Sequence, residues 1–236
     1  MPTVLPARRL LLWALLLSTL LAASARADEH RRESAAEVNA FVKLSDVSRL
    51  FLLGSLTRQQ QENVTDGEVG AYLDFTIKPI LREQLRTANW QRDRYLWVRV
   101  GYGYTDKVSG NAQSSPEKRV VLEGTARFEL PKEMWLASRL RADLRDIDGT
   151  SSQRYRLRLA IEREFTVNGT AVVPLRPGET FYDTRFDTWN RQHYQTGVEI
   201  ELSKQWRIEP YVSRQNDNRS ASGNVDTAGL VLKYFH

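Results

Sequence analysis

Residues 225–236 read Val225-Asp226-Thr227-Ala228-Gly229-Leu230-Val231-Leu232-Lys233-Tyr234-Phe235-His236. Successive side chains of an extended strand point to opposite faces. Ala228, Leu230, Leu232, Tyr234 and His236 therefore share one face, which is apolar and ends in rings. A strand apolar on one side, placed last, is the pattern of the closing strand of a membrane barrel.

Working outward, the same alternation recurs along the chain. Leu96, Val98, Val100, Tyr102 and Tyr104 oppose Trp97, Arg99, Gly101, Gly103 and Thr105. Leu136, Leu140, Ala142 and Leu144 oppose Arg139, Arg141, Asp143 and Arg145. Tyr155, Leu157, Leu159 and Ile161 oppose Arg154, Arg156, Arg158 and Glu162. Tyr194, Thr196, Val198, Ile200 and Leu202 oppose Arg191, His193, Gln195, Glu199 and Glu201. Period-2 patterns of this kind mark half-buried strands. Strand-like segments fall at 37–44, 49–58, 67–77, 94–105, 118–130, 134–146, 153–164, 170–183, 190–202, 206–215 and 225–236. Bacterial single-chain barrels use even strand numbers. The expected fold is thus all-β, an antiparallel up-and-down transmembrane β-barrel of twelve strands, with ten as the alternative. The adjustment falls near Arg32–Ala36, at Ile80–Trp90 or at a break around Pro174–Pro177.

The connections read as short near Ser45–Val47, Lys132, Asn168-Gly169 and Ser203–Gln205. They read as long near Gln59–Asp66, Asp106–Pro116, Asp146–Ser152, Asp183–Trp189 and Gln215–Asn224. Short turns on one side and longer loops on the other suit an outer-membrane barrel. The stretch Lys78–Asp93 breaks the rule, and Ile80, Leu81, Leu85 and Ala88 there have the spacing of a small amphipathic helix.

The N-terminus carries an export address. Arg8 and Arg9 precede an apolar run from Leu10 to Leu21, followed by small residues up to Ala25 and Ala27. This is a secretory signal peptide over residues 1–27, with cleavage expected after Ala27 and the barrel occupying 28–236. The apolar run is too short for the roughly 20 residues of a spanning helix. No cysteine occurs anywhere, so neither disulfides nor thiol chemistry enter. The net charge is +5; the leader holds Arg8, Arg9 and Arg26 and no acid, and +5 less 3 leaves +2 on the mature chain. That balance gives no reason to invoke nucleic acid.

One-sided polarity leaves two placements open. In lipid the apolar faces point outward and the charges fill the lumen; in water the apolar faces fill the core. The density of Arg, Asp and Glu favours lipid, as do Tyr95, Trp97, Tyr102, Tyr104, Trp135, Tyr182, Trp189, Tyr194, Trp206, Tyr234 and Phe235, read as interfacial rings near strand ends. The expected lumen set is Arg99, Glu123, Arg127, Arg139, Arg141, Asp143, Arg156, Arg158, Glu162, Arg191, Glu199, Glu201, Arg207 and Glu209. Opposed charges on neighbouring strands lie within pairing distance. A ring this small has little room left after such side chains fill it, so a largely occupied lumen is favoured over an arginine ladder conducting anions.

The segments Arg139–Arg145, Arg154–Arg158, Glu179–Tyr182, Asn190–Gly197 and Glu209–Gln215 resemble, in order and across nearly the whole mature chain, a family of uncharacterised Gram-negative outer-membrane barrels catalogued only as a domain of unknown function. The resemblance implies a barrel in the cell outer membrane and brings no reaction with it. The final His236 departs from the Phe or Trp usual in such barrels, and Phe235 points to the other face.

Chemistry is sparse. A lipid hydrolase needs a nucleophile beside a His with an orienting partner. His193 is the inward His, with Ser213 one hairpin away on the same face and Ser138 on the outer one. Asp143, Asp146, Glu162 and Glu164 have the charge for a rim calcium, but interleaved Arg favours ion pairs. The expected function is a non-enzymatic outer-membrane barrel, a structural or interaction protein or a narrow channel, without cofactor or metal. Its expected partners are outer-membrane lipid and, through the C-terminal strand, the barrel-assembly machinery; export follows the general secretory route. The alternatives are a lipid-modifying hydrolase and a soluble periplasmic ligand-binding barrel.

Overall fold

The computed structural model describes residues 31–77, 96–110, 115–219 and 223–236. The expected leader and the expected helix at Ile80–Ala88 lie outside the described residues. Within them the chain forms twelve strands. They are β1 (Arg31–Lys43), β2 (Ser48–Gln59), β3 (Val64–Thr76), β4 (Leu96–Ser109), β5 (Glu117–Leu130), β6 (Met134–Ile147), β7 (Thr150–Arg163), β8 (Phe165–Val167), β9 (Thr170–Asp183), β10 (Thr188–Glu201), β11 (Trp206–Asp217) and β12 (Val225–Phe235).

Eleven of these close a ring, each pairing with the next in sequence, and β12 returns to β1. The twelfth, β8, pairs only with β9. Its pairing Phe165↔Val172 continues the register set by Glu162↔Leu175 on β7, so β8 extends β7 beyond a one-residue break at Glu164. In that register the break adjoins Pro174, which has no N–H to donate to a ladder.

An odd ring has a geometric consequence. Antiparallel neighbours alternate in direction, so with eleven members the first and last run the same way. The seam between β1 and β12 is accordingly parallel, from Arg31↔Val225 to Phe41↔Phe235. Arg31 and His236 therefore lie at opposite ends of the barrel, called here the Arg31 end and the His236 end. The chain has the twelve strands expected, but only eleven of them form the ring, because β8 stays outside it as an extension of β7.

The loop expectation also needs correction. Residues 60–63, 148–149 and 184–187 are tight turns, because the strands on either side run further than the alternation alone suggested. Asn63, Asp148 and Asp187 take positive φ there, as does Gly149, a conformation that Asn, Asp and Gly tolerate best. Ring strands of 12 to 14 residues are typical here, longer than the roughly 9–11 that cross a bilayer.

Every strand of the ring carries charge inward and apolar groups outward. On β5, Val120 and Leu122 are 46% and 57% exposed, while Glu123 is 3%. Outward Leu140 is 63% exposed and its neighbours Arg139 and Arg141 face the lumen. Rings gather on the outer surface at both rims: Trp206 against Tyr234 at the His236 end, and Tyr155, Tyr182 and Trp189 at the Arg31 end. Trp97, Trp135 and Phe235 do not join them. Their strand parity turns them inward, where they line the lumen.

Candidate lumen site

The lumen is built in two storeys. Towards the Arg31 end it is crossed by ion pairs. The Asp183 carboxylate accepts from Arg145 Nη1 at 3.0 Å, Arg154 Nη2 at 3.2 Å and Arg185 Nη2 at 2.8 Å. Arg145 also grips Glu117 through two bonds of 2.7 and 2.6 Å. Arg119 passes over Gly103 to pair with Glu68. Arg191 holds Asp217 at 2.6 Å, and Arg31 pairs with Glu62. Val121, Val225 and Phe181 are buried at this level.

Several of these bonds skip a strand. Arg119 on β5 reaches β3, Arg145 and Arg139 on β6 reach β9, and Arg127 on β5 reaches Glu162 on β7. They run as chords across the ring and hold it closed from inside. Such groups are half or fully buried, and breaking one partner leaves an uncompensated charge.

Towards the His236 end the lumen opens into a vestibule of about 640 Å³. Its lining runs from Glu133 in the β5–β6 turn up to Arg156 and Tyr211 in mid-barrel, and includes none of Glu117, Arg145, Asp183 or Asp217. The ion-paired storey thus forms its roof. One side carries a stack of rings on four neighbouring strands: Phe235–Phe41 at 4.8 Å, Phe41–Phe51 at 4.8 Å and Phe51–Tyr72 at 5.3 Å. Guanidinium groups cover it, Arg49 4.4 Å from the Phe41 centroid and Arg99 4.0 Å from that of Phe51. These distances suit cation–π attraction. Tyr72 lies flat against Gly70 and Gly101, where a Cβ would collide with its ring.

All fourteen residues of the expected lumen set face inward or line the rim. Glu179 accepts from Arg139 at 2.8 Å and from Arg156 at 2.9 Å. Asp143 holds Arg141 at 2.6 Å, and Arg207 holds Glu199 at 2.8 Å and reaches Glu201 at 3.5 Å. Glu209 accepts from Gln195, and Lys233 bridges Glu199 and Glu209 at 2.7 and 2.5 Å. Glu123 stands 3.7 to 3.9 Å from Arg99, Arg139 and Arg141. Arg158 faces the vestibule and forms no ion pair with any described residue.

Sequence reasoning missed Arg49, Asp74, Glu68, Arg119, Asp183 and Lys233. Asp74, fully buried, takes Arg49 and Arg99, both at 2.6 Å. The signal was present in the alternation of β2 and β3, had their faces been phased. The ring stack left none, since no spacing in sequence relates Phe41 to Phe235.

His193 and Ser213 do face inward on adjacent strands, but they are not partners. His193 lies opposite Gln215 and Glu179, and Ser213 opposite Gln195. No hydrogen bond joins the two among the described residues. Ser138 points outward, as its strand parity requires. Asp143 and Glu162, of the acids with calcium-like charge, are taken by Arg141 and Arg127.

Residues 83–226 match the model of a family described as "Protein of unknown function (DUF2490)". No curated protein matches the chain. Among solved structures, the beta domain of the Bordetella autotransporter BrkA is similar over 75% of this chain and 80% of that one, at 15% identity and a TM-score of 0.48.

Proposed function

Since the chain belongs to the DUF2490 family, whose description names no activity, we propose a function from the barrel itself: an outer-membrane protein, closed to through-flow, with a structural or interaction role. The observation that carries this is the polarity of the wall. Outward Leu122, Leu140 and Val69 are 57 to 63% exposed, whereas Asp74, Asp143 and Asp183 are at most 1% exposed. In water that arrangement strands apolar area outside and charges inside, against the hydrophobic effect. In a bilayer it is the low-energy arrangement, because lipid solvates the outer face and every ladder bond is internal to the closed ring. The rim aromatics support the same placement.

The closed lumen follows from the roof of ion pairs over the vestibule. A small ring leaves little interior width, and here Arg145, Arg154, Arg185 and Asp183 occupy it. In this reading the partners are outer-membrane lipid and the assembly machinery that receives β12 after export by the general secretory route. No nucleic acid takes part. The role is non-enzymatic: the inward His193 and Ser213 each face a different neighbour.

The test is heat-modifiability of the outer-membrane fraction, followed by planar-bilayer recording. A fast-migrating unheated band without steady conductance is the expected pair of results. Release with soluble periplasmic proteins would refute the membrane placement. Stable ohmic conductance of an assembled barrel would refute the closed lumen and favour a narrow channel.

A further inference from the structure

Four guanidinium groups share one wall of the vestibule. Arg139 on β6 stands directly opposite Arg158 on β7, and Arg141 directly opposite Arg156. Like charges in cross-strand register repel, so acids must offset them. Three do. Glu179 takes Arg139 and Arg156, Asp143 takes Arg141, and Glu123 is shared at 3.7 to 3.9 Å among Arg139, Arg141 and Arg99. Arg158 makes no hydrogen bond and no ion pair within 4.0 Å with any described residue. The Nε of Arg139 is buried and also lacks an acceptor among the described residues. A buried Nε–H without an acceptor is costly, and Arg158, which faces Glu179 in the β7–β9 register without bonding it, borders the open cavity.

The opposite wall differs in kind. In the eleven-membered ring, the β6–β7 pair lies across from β1, with β12 and β2 beside it. Those strands carry Phe235, Phe41 and Phe51, whose stacked rings line the same cavity. The vestibule therefore presents the guanidinium of Arg158 to one side and stacked rings, partly covered by Arg49 and Arg99, to the other. Its volume of about 640 Å³ falls within the roughly 300–1,000 Å³ of small-molecule sites.

We infer that the vestibule binds a small organic oxyanion, a carboxylate or phosphate carried on an aromatic or apolar body. The head accepts from Arg158, whose planar fork suits such groups. The body packs against Phe41 and Phe235. The inference rests on the closed ring and the vestibule, and is independent of where the barrel resides or whether it conducts.

The experiment uses the mature protein folded in dodecyl maltoside, with fluorescence of Trp97 and Trp135 in the vestibule wall and calorimetry as readouts. The probes are phenyl phosphate, benzoate and inorganic phosphate. Saturable binding of phenyl phosphate or benzoate is expected, at least tenfold weaker in Arg158→Gln and unchanged in Lys132→Gln, which alters a turn. Inorganic phosphate should bind at least tenfold more weakly than phenyl phosphate. Arg158→Gln removes an unpaired charge, so it should keep its heat-modifiable fold. No binding of either aromatic anion by the folded protein overturns the inference, as does equal binding by folded Arg158→Gln. Equal binding of inorganic and phenyl phosphate overturns the role of the ring wall.

Discussion

The ring of Phe235 lies on the ring of Phe41, with centroids 4.8 Å apart and planes within 9°, across the one parallel seam of the barrel. The two residues are also backbone partners, the last pair of the β1–β12 ladder. Parallel pairing is slightly weaker per residue than antiparallel pairing. The stack supplies side-chain contact where the ladder is weakest and continues through Phe51 to Tyr72.

Phe41→Ala removes the middle of that stack. A buried Phe→Ala change costs about 3–5 kcal/mol, and Phe41 is only half-buried, so the lower end is expected. Urea unfolding of the barrel in vesicles should show it, while Phe165→Ala, on exposed β8, should shift the midpoint little. Equal effects would remove the seam from the account.

Asp183 is the hub of the roof, receiving three guanidinium groups. Asp183→Asn leaves those cations without their counter-charge, a loss of about 3–5 kcal/mol by analogy with other buried pairs. The temperature at which the unheated band converts should fall. Asp148→Asn, in a turn at positive φ, should leave it in place.

Opening the roof at its hub should also create a conducting path. The double variant Arg145→Ala with Asp183→Ala clears the chord between β6 and β9. Single-channel recording should then show steady conductance absent from the parent. A silent double variant that still forms a heat-modifiable band would mean that other groups close the lumen.

Leu140 sits outward at mid-strand on β6, 63% exposed. Leu140→Arg places a cation at the depth where lipid-facing Arg costs about 2–4 kcal/mol. Folding into vesicles should weaken by that amount. An unchanged folding free energy would contradict the lipid-facing assignment.

The odd ring predicts opposite ends for the two termini of the barrel. The chain has no native Cys, so single cysteines report cleanly. Arg32→Cys and Ser151→Cys should react together with an impermeant maleimide on intact cells, and Asp46→Cys and Lys204→Cys should behave as the opposite class. Arg32→Cys reacting with the Lys204→Cys class would imply an even barrel.

The alternation of residues 225–236 and of the segments before it determined, by itself, that the fold is all-β, which face of the strands is charged, and that Arg139, Arg141, Arg156, Arg158 and Glu209 point inward. Period-2 patterning is a local property of extended backbone, so it is legible without contacts. Closure was not. Eleven segments were visible in sequence, but whether the first pairs with the last in parallel depends on a seam between residues about as far apart as the chain allows. The same holds for the chords from Arg145 to Asp183 and from Arg119 to Glu68, which cross an intervening strand that sequence proximity cannot reveal. The stack of Phe235 on Phe41 and the unpaired Arg158 exist only once curvature brings β6 and β7 across from β1. Strand parity sets the direction of each side chain; the diameter and register of the closed ring decide which of them meet.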